Sequence, residues 1–517
     1  MKRRQFLCSG LSLAAAGLFS RSKAFANVGQ LKAGFAERDI TPEVGMEKPG
    51  GYGKSYIQSI HDPSKARASV FDDGERTVAV VGIDTLTAPR YVVTAARERI
   101  AKRCAIEPSS IMIAGSHSHS GGPIGMFRRG DYDHASKFVQ ELAYDHSTVD
   151  DAKYAEKVIA AIADAVVEAY EKRRPLDVGV GVMQAKDVAY NRRFRMKNGL
   201  TFTHPGQGNP DIVQPAGPVD PDVGVVAAWD GEGDGALKGV IVNFACHGTA
   251  SGAGSSANWI YYMERAIRGV MGDDVIVVFT PGFSGNVTQV DNLSPYVRES
   301  GDEQSRFVGG NVGAEAVRAL LHMHRGATGP VSAMHTLFDI PRRKPTREHV
   351  QAAYEIVRKK PEEAGSTDWT FAKETVMLDA LLEKHPIAEC EVQTVQIGPA
   401  VFAGAGGEIF VEFGIRLKQE SPFPFTFPVS FANTSLGYVP TERALGVNGG
   451  GYETRLTSYT NLVPEAGTRM TDALVALMAQ MKPGPIPTPE PAPKFNPDPY
   501  SSGSHPWSYG NLPPQVE

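Results

Sequence analysis

A chain of 517 residues has room for a large buried core, and a composition of 42% hydrophobic and 21% charged residues is that of an ordinary globular protein. A formal net charge of −5 excludes the polybasic footprint of a nucleic-acid-binding surface. Glycine, at 54 residues, is abundant enough to predict many tight turns.

The first segment, "MKRRQFLCSGLSLAAAGLFSRSKAFANVG", reads as a leader. Arg3 and Arg4 precede an apolar stretch at 11–19 that is too short to span a bilayer comfortably. Ala24-Phe25-Ala26 has the small-x-small form of a signal-peptidase site. "RRQFL" fits the twin-arginine pattern, which carries folded proteins across the membrane. The expectation is a signal peptide at 1–26, cleavage after Ala26, and a periplasmic or secreted product. Cys8 lies too early for a lipoprotein site. Cleavage leaves Cys104, Cys246 and Cys390, an odd number, so at most one bridge forms and no disulfide framework is expected.

The body of the chain alternates two patterns. Apolar, β-branched runs at 77–86 and 110–119 predict strands buried on both faces. A helix follows over 151–174, where Tyr154, Val158, Ile162, Ala165, Val166 and Ala169 recur at helical spacing. Further strands are predicted at 239–248 and 274–286, helices at 309–324 and 347–360, and another strand at 400–410. This alternation predicts an α/β core whose sheets are covered by helices. No internal repeat is visible. From Lys482 the chain is rich in proline and predicts an extended tail, either docked through Trp507 and Tyr509 or disordered.

The chemistry concentrates where the predicted strands end, the edge at which open α/β sheets build their sites. "IMIAGSHSHSGGP" ends a strand in His117-Ser118-His119. Alternate residues of an extended segment can converge on a metal, although the pattern alone is weak. A metallo-β-lactamase arrangement would continue with an Asp-His pair, which is absent, and the eight βα units of an amidohydrolase barrel are not evident. A second strand ends in "NFACHGT" at His247. A lone histidine there is more often structural, but two strand-end motifs shift the balance. Catalytic zinc takes three protein ligands and leaves a position for water. Glu408 of "GGEIFVEFGIRLK" is the candidate for the anionic ligand.

In this order the motifs resemble the neutral/alkaline, non-lysosomal ceramidase family of zinc amidases. The resemblance runs from "AGFAERDITPEVGMEKPGGYG" and "SIHDPSKARASVFDD" through "SHSHSGGP", "NRRF", "NFACHGTASG", "GFSGNVTQ" and "GEIFVEFGIRLK" to "LGYVPTE" and "GGYE". It implies an α/β fold class of mixed β-sheets covered by helices, forming one large catalytic domain over 27–481 and a tail at 482–517. It implies one Zn2+ per chain, held by His117, His247, Glu408 and Tyr438. His119 supports the site, Arg192 of "NRRF" matches the family's active-site arginine, and Tyr452 of "GGYE" matches a second tyrosine near the metal. Ordinary chemistry agrees with these roles. Imidazole and carboxylate donors suit zinc, zinc lowers the pKa of bound water to about 7, and an arginine or tyrosine beside it can stabilise an oxyanion.

Two departures bear on substrate. The family carries a serine in a Gly-Asp/Asn-x-Ser-Pro turn. Here "GNVTQ" puts Thr288 at the serine and Gln289 at the proline, with Ser284 nearby but out of alignment, so the Thr288 hydroxyl is expected to take the serine's place within hydrogen-bond reach of the reacting groups and to assist catalysis. The chain is also expected to lack the family's C-terminal immunoglobulin-like domain. The implied function is hydrolysis of the amide of an N-acylated substrate, with ceramide or a ceramide-like lipid first by resemblance. The expected partner is a small-molecule or lipid substrate, met in transient contact with a membrane surface, and no nucleic acid. The alternatives are a same-fold zinc hydrolase acting on another small amide or ester, and a non-catalytic periplasmic binding protein. The leader carries its own test. Replacing Arg3 and Arg4 by lysine should leave uncleaved precursor in the cytoplasm on fractionation, and normal processing of that variant would contradict the twin-arginine assignment.

Overall fold

The computed structural model describes residues 30–231, 233, 235–250, 254–296, 300–489, 491–492 and 516. The predicted leader and most of the proline-rich tail, with Trp507 and Tyr509, lie outside them.

Two five-stranded sheets form the centre. The N-terminal sheet has the order Ile111–Gly115, Thr77–Ile83, Lys65–Asp72, Lys32–Asp39, Arg174–Pro175. The second has the order Ile276–Pro281, Leu237–Phe244, Asp222–Trp229, Asp177–Gln184, Arg325–Gly326. In each sheet the first pair is parallel and the others are antiparallel. The chain traces both in the same way. Three strands meander, a helix crosses to a parallel fourth strand, and a 21-residue helix returns the chain to a short fifth strand at the opposite edge. The crossover helices are Arg90–Ala101 and Trp259–Met271, and the return helices are Ala152–Lys172 and Asp302–His322. The sequence was read as free of repeats, and the structure corrects this at the level of topology. Only the pattern of buried positions recurs, and many residue choices satisfy it.

The sheets pack face to face with helices outside, giving four layers. Alternation along the strands explains this. In Thr77–Ile83, Ala79, Val81 and Ile83 face Val92, Ile100, Val158 and Ile162 of the helices. Val78 and Val80 face Ile241 and Val278 of the other sheet. In Leu237–Phe244, Val240, Val242 and Phe244 meet Trp259 and Met263, while Ile241 points inward. Both faces are buried, so the runs read as continuously apolar.

A third, four-stranded sheet has the order Val331–Pro341, Ile387–Ile397, Ala400–Ala405, Phe425–Val429. Val395, Phe402, Phe427 and Val429 extend the inner core. Its other face packs with helices Val411–Glu420 and Ala466–Met478. Helices Arg347–Val357 and Ser366–Lys384, inserted between its first two strands, join Lys137–Tyr144 in a separate apolar cluster around Trp369, Val376 and Leu142. Cys104, Cys246 and Cys390 are all free thiols.

Gly82 fixes how closely the two central sheets approach. A Cβ on it would lie 2.2 Å from the Phe279 carbonyl oxygen of the facing strand. Overpacking of this kind costs about 1–3 kcal/mol, so Gly82→Ala should lower the unfolding free energy by that amount in denaturant titration. An unchanged midpoint would show that the sheets do not meet so closely.

Candidate metal centre and cavity

Each histidine motif leaves its strand within two or three residues. His117 follows Ile111–Gly115 and adopts φ 62°, a left-handed conformation rare for a non-glycine residue. Its ring stacks on Phe431, with centroids 4.3 Å apart. His247 follows Leu237–Phe244. A backbone bridge between Ser118 and Gly248, with the His119 amide donating to the Gly248 carbonyl at 3.0 Å, joins the two loops. Gly248 is required here, because a Cβ would meet the His117 carbonyl oxygen at 2.4 Å.

Every imidazole is oriented by a backbone carbonyl at Nδ1. His117 Nδ1 lies 3.0 Å from the Leu86 oxygen, and His119 Nδ1 lies 2.9 Å from that of Gly50. His247 Nδ1 lies 2.9 Å from the oxygens of both Ser284 and Val287. Donation from Nδ1–H fixes the tautomer and leaves Nε2 unprotonated. The Nε2 atoms then converge. Those of His117 and His119 are 3.1 Å apart, and one ring nitrogen from each of His117, His119 and His247 lies within 4.8 Å of the others.

Glu408 completes the cluster. Its Oε2 is 3.2 Å from His247 Nε2 and 3.4 Å from His117 Nε2. The strand at Ala400–Ala405 stops before it, so Glu408 lies beyond that strand, in a two-residue parallel pairing in which it stands directly beside Tyr438. The Tyr438 hydroxyl accepts from Arg192 Nη2 at 3.0 Å and lies 3.4 Å from the Tyr452 hydroxyl. Arg192 forms a buried ion pair, with Nε 2.8 Å from Glu453 Oε1 and Glu453 fully buried. The neighbouring Arg193 turns to the Gly450 carbonyl and the face of Phe410.

The turn at 284–288 supports the centre through its backbone. The carbonyls of Ser284 and Val287 hold His247, and the Gly285 carbonyl accepts from Arg192. The Gly285 amide donates to Ile409, next to Glu408. The Thr288 side chain does not line the cavity. Its Oγ1 donates to Gln289 Oε1 at 3.0 Å, and its backbone pairs with Tyr190.

Electrostatics favour metal binding. Burial, and then the nearby Arg192, push His247 down to about 3. Burial, and then the other two histidines, push His119 well below its usual value. Both are therefore neutral lone-pair donors at pH 7. Burial alone would raise Glu408, but positive charge at the His117 and His247 Nε2 edge that faces it holds it well below the carboxylate range, which makes it the anionic member of the set. Burial lifts Tyr452 to about 12 against the opposing effect of Arg192, which keeps the phenol protonated.

His117, His119, Glu408, Tyr438 and Tyr452 open onto a cavity of about 460 Å³. Tyr52, Leu86, Tyr91, Met126, Phe127, Asp150, Arg342, Leu436 and Tyr459 form much of its remaining wall. Sequence reasoning assigned no role to Glu453, although "GGYE" contains it, and did not single out the wall residues. Arg192, the partner of Glu453, lies 261 positions away.

No family model and no curated protein matches the sequence. Solved structures similar in fold include neutral ceramidase from Pseudomonas aeruginosa, with a TM-score of 0.63 and 18% identity over 89% of this chain and 76% of that one. A ceramidase complexed with C2 gives a TM-score of 0.63 and 19% identity over 90% and 77%. The chain has the neutral ceramidase fold. The expectation of mixed, helix-covered sheets in one large domain is borne out with it.

Within the neutral ceramidase fold of this chain, the histidine loops form one unit. Elemental analysis of protein purified without chelator should find near-stoichiometric metal, and His117→Ala and His247→Ala should lose it. Gly248→Ala, which removes no ligand, should also weaken binding by about 10–100-fold, the usual effect of disturbing outer-shell support. Full metal content in the two histidine variants would contradict the assignment.

Proposed function

We propose that the chain is an exported zinc-dependent amidohydrolase that cleaves the amide bond of an N-acylated, lipid-like substrate. The convergence of three backbone-oriented histidines and an ionised carboxylate beside a cavity onto which His117, His119 and Glu408 open carries this reading, and the neutral ceramidase fold supports it. The donor set fits zinc, with neutral imidazole nitrogens whose Nδ1 atoms are already engaged and one carboxylate. His117, His247 and Glu408, with Tyr438 beside Glu408, would hold the ion. When bound, it supplies a Lewis acid for the carbonyl and a water acidic enough to ionise near neutral pH.

The remaining steps belong to side chains of the chain. His119 Nε2, unprotonated because Nδ1–H is engaged with Gly50, accepts the proton of the attacking water. The new C–O bond forms, the C–N bond breaks, and His119 returns the proton to the departing amine, leaving a carboxylate and an amine. Tyr452, protonated and on the cavity wall, donates to the oxygen that gains charge. Arg192 acts through Tyr438, holding that hydroxyl in place while Glu453 fixes the guanidinium.

His119→Ala should lower kcat by about 10²–10⁴-fold on an N-acyl amide while retaining metal. The fatty acid and amine products are measured by mass spectrometry. Thr288→Val is the counterpart. With its hydroxyl engaged by Gln289, turnover should fall by less than the ~10-fold that corresponds to 1.36 kcal/mol. A larger loss with metal intact would put the Thr288 hydroxyl among the reacting groups. Hydrolysis of no N-acyl amide by metal-replete protein would overturn the reading.

A further inference from the structure

The cavity wall carries five charged side chains besides Glu408, namely Arg90, Arg128, Asp131, Asp150 and Arg342. Three of them have an opposite charge at hand, although Arg90 Nη1 has no hydrogen-bond partner, and the carboxyl of Asp150 is met by neutral donors only. Arg90 pairs with Glu389 at 2.5 Å. Arg128 lies over the Tyr91 ring, 4.7 Å from its centroid, and beside Asp131. Asp150 accepts from the Tyr91 hydroxyl at 2.8 Å and from the amides of Gly125 and Met126 at 2.8 and 3.4 Å.

Arg342 differs. Among the described residues it makes no ion pair, and its Nε, shielded from solvent, has no hydrogen-bond partner. Its Nη1 donates to the Asn461 side-chain oxygen at 2.5 Å, a neutral acceptor. The ionisable group that acts on it is the Tyr132 phenol, which burial keeps protonated at pH 7. A half-buried guanidinium without a counter-ion is unfavourable for the fold. The fold nevertheless positions it firmly. Asn461 donates to the carbonyls of Thr457 and Ser458, and the Tyr459 carbonyl of the same loop accepts the backbone amide of Tyr438. Ser458 and Tyr459 line the cavity together with Arg342. One loop thus ties an uncompensated cation to the residue beside Glu408.

We infer that Arg342 is the recognition site for an anionic headgroup, and that the preferred substrate is an N-acyl compound whose amine portion carries a carboxylate rather than a neutral alcohol. The inference rests on the amidohydrolase reading above. A guanidinium offers parallel N–H donors that match a carboxylate in the plane of both groups. The apolar wall provided by Leu86, Met126, Phe127 and Leu436 remains available to the acyl portion.

The test compares N-dodecanoylglycine with N-dodecanoylethanolamine, which share the chain and the amide, on wild-type protein and on Arg342→Gln. The wild type should favour the glycine conjugate in kcat/KM. Arg342→Gln should reduce that preference on the order of 10- to 100-fold, mainly through KM, as expected for loss of a charge-assisted hydrogen bond. Arg342→Lys, which keeps the charge without the fork, should fall between the two. A wild-type ratio near one, or equal losses on both amides in Arg342→Gln, would overturn the inference while leaving the amidohydrolase reading intact. If neither amide is cleaved, calorimetric titration of both compounds decides the anion site separately. Tighter binding of the glycine conjugate that Arg342→Gln weakens upholds the site, and equal binding of the two rejects it.

Discussion

The centre depends on backbone carbonyls that accept hydrogen bonds from the Nδ1 atoms of three imidazoles. The oxygens of Gly50, Leu86, Ser284 and Val287 come from three separate segments of the chain, and each aims a ring so that Nε2 meets the others. Without them the histidines would be free rotors whose convergence would be entropically unfavourable. With them, the geometry is set by the same forces that hold the loops. The Ser118–Gly248 bridge is the narrowest point of this arrangement, because it allows no side chain between the two histidine segments.

The loops meet because the two central sheets stack with their parallel strand pairs close together. Ile111–Gly115 and Leu237–Phe244 each deliver a histidine segment at the strand end, one from each sheet. The inner core of Phe35, Phe71, Val80, Val226, Ile241 and Val278 holds the sheets at a fixed separation. The third sheet contributes the Glu408–Tyr438 pairing from the side. A repeated topology thus supplies the imidazoles and much of the cavity wall, including Tyr52 and Tyr91, and the non-repeated part supplies the carboxylate, the phenols of Tyr438 and Tyr452, and Tyr459.

Sequence revealed the parts governed by local physics. Strands buried on both faces are continuous apolar runs, so Thr77–Ile83, Ile111–Gly115, Leu237–Phe244, Ile276–Pro281 and Ala400–Ala405 were legible, although each ends a few residues before the run does. The helix at 152–172 was legible from its 3.6-residue period and differs from the reading by one or two residues at each end. His117, His247 and Glu408 were legible because ligand-type residues follow strands. What sequence hid is pairing over long separations. Glu453 meets Arg192 across 261 positions, and Asn461 meets Arg342 across 119. The role of the 284–288 turn was hidden for another reason. Attention falls on a side chain, Thr288, whereas the turn acts largely through carbonyls that every residue type carries. The topological repeat left no sequence trace because burial pattern, not residue identity, is what recurs.

The central claim is that the histidine loops and Glu408 hold one zinc ion. Anomalous diffraction from crystals of metal-replete protein, recorded above and below the zinc absorption edge, tests it most directly. A single strong peak bounded by His117 Nε2, His247 Nε2 and Glu408 Oε2, disappearing below the edge, is the expected result. A peak at another cluster, or none at this one in protein shown to contain zinc, would contradict it.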